Sequence, residues 1–383
     1  MSRVAIGEAV LQWAVDRSGI SYAALRGKFP KIHLWESGEI QPTLRQLESL
    51  ARATSTPIGF FFLKTPPELQ MPIPYFRSVT DESPYKPSAD LLDTILMLQR
   101  RQTWMREFLI EEGEEKLPFV KCANIKESPI EIANIIRNEL KIKSDWASKQ
   151  STWTDALRVL RDAMESAGII VTINGVVGNN TQRKLDPNEF RGFVLNDEFA
   201  PFVFVNGADG KAAQMFTLAH ELAHVFVGSS AAFDLRELKP ANDPTEQSCN
   251  QVAAEFLVPE QELLRAWNSI KHDKDPFQAT ARQFKVSVLV SARRLLDLKL
   301  ITNEYFYEFY NAYLEDERRF NSKKQSGGDF YATQNSRVSR RFGDTIIRAT
   351  KEGKLLYSEA YRLTGLYGKT FERFSDSLNL GSL

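Results

Sequence analysis

Apolar residues recur at helical spacing through the first sixty positions, in short blocks broken by glycine and proline. Ala9-Val10-Leu11 and Trp13-Ala14-Val15 run into Ser18-Gly19, the pattern of a helix closed by a glycine. Ser21 to Leu25 starts a second helix, and Trp35-Glu36-Ser37-Gly38 closes a third. Pro42-Thr43 caps a fourth, whose apolar positions Leu44, Leu47, Leu50 and Ala51 recur at helical spacing. Phe60-Phe61-Phe62-Leu63 then gives way to Pro66-Pro67 and Met71-Pro72-Ile73-Pro74, a boundary because proline at that density cannot continue a helix. A long helix is predicted from Ser88 to Glu114, with Leu91, Leu92, Ile95, Leu96 and Leu98, then Trp104, Phe108 and Leu109, along it. Further helices are predicted at 129–141 and 153–167.

The texture then changes. Ile169 to Ile173, Phe190 to Leu195 and Pro201 to Val205 are β-branched and aromatic runs separated by Gly and Asn turns, which read as a small sheet. Helices at 212–228 and 246–257 follow, with a polar loop between them. Lys323-Lys324-Gln325-Ser326-Gly327-Gly328 reads as a linker into a last helical segment that begins near Phe330-Tyr331. The fold class predicted is α+β, mostly helical. Its domains are an all-helical one at 1–65, a helical connector at 66–150, a central domain with the small sheet at 151–310, and a basic helical domain at 325–383.

Composition constrains this picture. A chain of 383 residues is long enough for two or three domains. Hydrophobic residues at 43% and charged residues at 26% give an ordinary globular balance. No apolar run approaches the roughly 18 residues needed to cross a bilayer, so no membrane role is expected. The opening MSRVAIGEAVLQWAVDRSG has charges through its middle and no small-residue cleavage site, so it does not read as a signal peptide. Cys122 and Cys249 form no disulfide framework, and cytoplasm is the expected location. Net charge is zero but unevenly spread. Residues 1–65 hold 8 Lys/Arg against 5 Asp/Glu, and residues 318–373 hold 13 against 5, which leaves an acidic middle.

The chemistry concentrates in His220-Glu221-Leu222-Ala223-His224. Positions i and i+4 stack on one helical face, so both imidazoles reach one metal ion, and Glu221 lies a fraction of a turn round, placed to take a proton from water. The chain has 4 histidines, and this pentapeptide uses half of them. Phe216, Leu218, Ala219, Leu222, Ala223, Val225 and Phe226 make the helix a core helix. Two histidines and a glutamate buried there are costly unless satisfied, and a metal satisfies them. The plainer alternative is a pair of hydrogen-bonded core histidines.

A catalytic zinc ion takes a third protein ligand. His33 lies among the first helices and His272 in a charged loop, so a carboxylate is favoured. Glu246 and Glu255, on one helix, compete for the place, and an acidic residue such as Glu246 near a helix N-terminus also simply suits the helix dipole. Cys249, one turn from Glu246, opens the further alternative of a four-ligand structural site.

Phe216-Thr217-Leu218-Ala219-His220-Glu221-Leu222-Ala223-His224, with Pro201 to Asn206 before it, resembles the ImmA/IrrE family of metallo-endopeptidases. Glu246, Cys249-Asn250, Ala253-Ala254 and Phe256-Leu257-Val258-Pro259 extend the resemblance, which covers roughly residues 150–300. It implies a minimal zincin-like domain holding Zn²⁺ through His220, His224 and Glu246, with Glu221 as the catalytic base. Ala223 stands where many members carry glycine. The resemblance also implies a specific DNA-binding repressor as substrate, so that cleavage switches transcription.

Trp35-Glu36-Ser37-Gly38 followed by Pro42-Thr43 resembles the end of the helix-turn-helix domain of XRE/Cro regulators. From Leu25 to Trp35 this chain is about four residues shorter than that pattern, and Phe29-Pro30 falls where the recognition helix begins. Arg26, Lys28, Lys31 and His33 are the candidate DNA contacts, against the alternative of a docking or dimerisation module. Trp35 is read as core. A second overall function stays open: a DNA-binding regulator, or a toxin–antitoxin or phage-defence component, that uses the zincin fold to hold a partner protein.

Overall fold

A computed structural model describes residues 3–68, 75–76, 87–228, 232–233, 243–315 and 330–379. The proline-rich Met71 to Pro74, most of the polar loop between the two central helices, and the Lys323 to Gly328 linker lie outside the described residues. The chain divides into two compact units, one formed by 1–72 with 80–96, the other by 73–79 with 97–383.

The smaller unit is helical. Helices Glu8–Ser18, Tyr22–Lys28, Ile32–Glu36 and Leu44–Ala53 enclose Val10, Leu11, Ala14, Leu25, Ile32, Trp35, Leu47, Leu50 and Phe61. Trp35 is 2% exposed, core as its type suggests. Gly19 closes the first helix at φ 65°, the left-handed conformation that glycine adopts without a Cβ penalty. Thr43 caps the last helix, its hydroxyl accepting from the Gln46 N–H while the Gln46 side chain reaches back to the Thr43 N–H. Leu44, read as apolar-face, is 48% exposed, because the first residue of a helix precedes the turn that packs.

The larger unit is built on two sheets. Its strands, with that of the linker first, are β1 (Tyr75–Phe76), β2 (Ile170–Asn174), β3 (Val176–Val177), β4 (Asn180–Lys184), β5 (Gly192–Leu195), β6 (Phe202–Asn206) and β7 (Ala232–Phe233). The main sheet runs β1-β7-β5-β6-β2, and β3 and β4 form a separate hairpin. β2 pairs parallel with β6, Ile170 opposite Phe202, while β5 runs antiparallel to β6, Gly192 opposite Val205. β2, β5 and β6 are buried along their whole length, as near-continuous apolar runs require.

Helix Lys211–Val227 packs on β5 and β6 and against helix Pro244–Leu257, which in turn packs against Pro129–Glu139. Lys211–Val227 stops at Gly228, whose φ of 90° ends it in a left-handed turn. The basic helices expected at 325–383 pack into this same unit. Phe330–Val338 lies on β2, and the buried Arg101 guanidinium donates to the backbone oxygens of Arg337, Leu363 and Thr364. Those carbonyls lie in the last turns of two helices, where the dipole favours a cation. No helix among the described residues is long and apolar enough to cross a membrane.

Candidate metal centre

Two helices supply the site. Lys211–Val227 is buried from Gln214 to Phe226 apart from Phe216, so His220, Glu221 and His224 arrive in the interior as part of a core helix. The second helix starts at Asp243, whose carboxylate accepts from the Thr245 and Glu246 N–H groups, with Pro244 at the first helical position. That cap fixes the turn that carries Glu246.

The geometry joins the three residues. His220 Nε2 lies 3.1 Å from Glu246 Oε2, His224 Nε2 lies 3.2 Å from Glu246 Oε1, and the two Nε2 atoms are 3.0 Å apart. Exposure is 0%, 1% and 2% for His220, His224 and Glu246, so water does not separate the donors from one another. All three offer a ligand atom within 4.8 Å of the others, the one such group among the described residues.

The electrostatics suit a cation. Burial lowers the pKa of His220, outweighing the hydrogen bond to Glu246, and so favours the neutral imidazole that a metal needs. Burial alone would raise Glu246, but bonds from His220 and His224 outweigh it and hold the carboxyl at about 2, ionised. Burial first, and then the Glu246 charge, push Glu221 well above the ordinary carboxyl value. Its Oε2 is buried with no hydrogen-bond partner. Two imidazoles, one carboxylate and an orphan carboxyl oxygen beside them form a donor set that fits a divalent zinc ion.

The competing candidates lie elsewhere. Glu255 is ion-paired with Arg294 and accepts from the Glu260 N–H. Arg294 also donates to Val258 O, and Arg137 to Glu255 O and Phe256 O. Glu255 therefore belongs to a buried network that ties down the end of its helix. Cys249 is part of the apolar core, its thiol pushed up by burial and then by the charges of Glu246 and Glu221. His33 and His272 are exposed, as are Arg26, Lys28 and Lys31.

Two further residues shape the site without having been singled out by the sequence. Gly192 of β5 stands against Glu221 and Thr217. An isolated glycine inside an apolar strand run is the available signal for such an approach. Asn196 Nδ2 donates to His224 O at 2.9 Å, joining the Gly228 N–H on the same carbonyl at the end of the motif helix.

No curated protein matches the chain. Residues 338–377 match a family described as a domain of unknown function (DUF8813). Residues 164–296, which carry β2 to β6 and both helices of the site, match the peptidase family of IrrE N-terminal-like domains.

Proposed function

We propose that the chain is a zinc-dependent, site-specific endopeptidase acting in transcriptional regulation, with a DNA-binding repressor as its substrate. The observation that carries this reading is the buried trio His220, His224 and Glu246 with Glu221 beside it. Three protein ligands are the number that catalytic zinc sites keep, one fewer than structural sites. Zinc, when bound, supplies Lewis acidity that acidifies water and polarises a carbonyl.

The side chains supply the rest. His220, His224 and Glu246 hold the metal from two helices that pack directly on each other. Glu221 accepts a proton from the attacking water and delivers it to the departing amine. A specific substrate is supported by the layout: the likeness to IrrE-type domains is joined to a small helical unit that resembles a helix-turn-helix.

The test is co-expression of the full chain with repressors encoded beside it, followed by mass spectrometry of the products. Cleavage at one site, dependent on zinc and reduced about 10²–10⁴-fold by Glu221→Gln, is the expected outcome. Retained cleavage in that variant removes Glu221 from the role of base.

One observation favours a second reading, a regulator that binds DNA and holds a partner such as a toxin. Arg26, Lys28, Lys31 and His33 are all exposed on the smaller unit, free of the core. A gel shift with the chain's own promoter, weakening steeply with salt as phosphate contacts do, together with full zinc occupancy and no cleavage, would decide for it.

A further inference from the structure

Thr217 stands one turn before Glu221 on helix Lys211–Val227, so the two side chains share a face. Both residues are 1% exposed. Both also press on the same point of β5: Thr217 Cγ2 lies 2.5 Å, and Glu221 Oε1 3.0 Å, from the place a Cβ on Gly192 would take. The methyl of one residue and a carboxyl oxygen of the other are therefore close neighbours against the glycine backbone. The hydroxyl is the anomaly. A threonine inside a helix and out of water bonds the carbonyl four residues back. Thr94, Thr280, Thr345 and Thr350 do so, onto Asp90, Pro276, Arg341 and Ile346. Thr217 does not: its Oγ1 is buried with no hydrogen-bond partner, and so is Oε2 of Glu221. A buried hydroxyl left unbonded is costly, and such a group calls for an explanation.

We propose that Thr217 is a positioning residue for Glu221: its hydroxyl donates to Oε1 of the carboxylate and holds the group in place for proton transfer. A general base is ionised before it takes a proton, and a carboxylate this deeply buried needs a donor. The Thr217 hydroxyl is a donor one turn away that no other bond engages. The movement required is small. One staggered rotation about the Cα–Cβ bond of Thr217 carries the hydroxyl into the place the methyl holds, beside Glu221 Oε1. Hydroxyl and methyl are close in size, so the Gly192 wall accepts either, and no bond to the Ala213 carbonyl has to break first. A donor on Oε1 leaves Oε2, which has no partner, to receive the proton.

This inference rests on the peptidase reading above, and the experiment separates the two. Its first arm needs no substrate. Urea unfolding of the full chain in zinc buffer is measured for Thr217→Val, which keeps the shape and loses the hydroxyl, for Glu221→Leu, and for the double variant. Thr217→Val should raise the unfolding constant about tenfold when Glu221 is present, as loss of a bond to a charged group does. It should change that constant by no more than about twofold when residue 221 is leucine, because packing alone then remains. Equal effects in the two backgrounds overturn the inference. Should Thr217→Val fail to fold, Thr217→Ser against Thr217→Ala carries the same comparison. The second arm uses a peptide spanning the cleavage site found by co-expression. Thr217→Val should lower kcat about tenfold with KM and zinc content unchanged, and Thr217→Ser, which keeps the hydroxyl, should restore it. A loss confined to KM, or no recovery in serine, also overturns the inference. A wild-type chain that takes up zinc and cuts nothing overturns the peptidase reading instead, and the unfolding cycle still decides the role of Thr217.

Discussion

A Cβ placed on Gly192 would stand 3.0 Å from Glu221 Oε1, 2.5 Å from Thr217 Cγ2 and 2.9 Å from Phe204 O. The backbone of β5 is thus one wall of the pocket that holds the Glu221 carboxyl. Phe204 belongs to the neighbouring strand β6 and pairs with Phe193, so its carbonyl has little freedom to retreat. Gly192→Ala is expected to destabilise the protein by about 1–3 kcal/mol, the cost of overpacking a close-packed site. The Glu221 carboxyl should shift while the ligands stay in place. Zinc content should therefore remain at the wild-type level as cleavage falls. Urea denaturation with metal analysis checks both, and an unchanged midpoint with unchanged cleavage shows that β5 yields freely.

Zinc should stabilise the folded chain through its three ligands together. At a zinc concentration about 100 times the dissociation constant the gain is about 2.7 kcal/mol. His220→Ala, His224→Ala and Glu246→Ala should each abolish most of the difference in melting temperature between zinc-loaded and chelator-treated protein. Glu255→Ala should leave that difference intact, because Glu255 pairs with Arg294 rather than with the trio. Thermal melts of the four variants distinguish Glu246 from Glu255 as the third ligand.

The parts of this fold that announce themselves in sequence are those with one dominant physical cause. The motif helix follows from His220 and His224 at i and i+4 inside an apolar run. Strands β2, β5 and β6 follow from β-branched and aromatic runs between turns. The β3–β4 hairpin was not legible, since Asn180–Lys184 is wholly polar and largely exposed and shows no alternation to read. Two-residue β1 pairs with β7 across a long stretch of sequence, and no local pattern encodes that register. Arg101 is likewise opaque, for its carbonyl partner on Leu363 is 262 positions away. At the site, the ligand helices were readable, but the second contacts were not. The close approach of Gly192 to Glu221 exists only once a helix and a strand have been packed together.

The ion pair of Arg294 with Glu255 offers a test of how the Glu246 helix is held at its far end. Both side chains are largely buried, and burial raises the Glu255 carboxyl while the Arg294 charge opposes it. Arg294→Ala removes the cation and the donor to Val258 O, leaving a carboxyl with little compensation in the interior. A loss of about 3–5 kcal/mol is expected, as for other broken buried pairs. Replacing both partners, Arg294→Met with Glu255→Met, should recover much of it. Denaturation of single and double variants checks the coupling, and simple additivity would show that the pair contributes nothing beyond its packing.

Glu165 gives the protein a pH-dependent seam between helix Trp153–Ser166 and the C-terminal helices. Its Oε1 accepts from Ser339 Oγ at 2.6 Å and from the Arg340 N–H at 3.2 Å, at the start of helix Arg340–Lys351. Burial raises the carboxyl from 4.5 to about 7, with Ser339 and Arg161 opposing the rise and Asp162 adding to it. The sign follows from which state binds the proton more tightly. Between pH 4.5 and 7 the folded protein keeps this proton while the unfolded chain has lost it, so raising the pH across that window favours unfolding. Below 4.5 both states are protonated, and above 7 the full penalty is present. The shift corresponds to about 3 kcal/mol lost across the window. Glu165→Gln keeps an oxygen acceptor for Ser339 and Arg340 but cannot ionise, so it should escape this loss. The stability of wild type minus that of Glu165→Gln, from urea unfolding at several pH values, should be level below pH 4.5, fall up to pH 7 and level off again. A difference that does not vary with pH would show that Glu165 does not titrate in the folded state as its surroundings require.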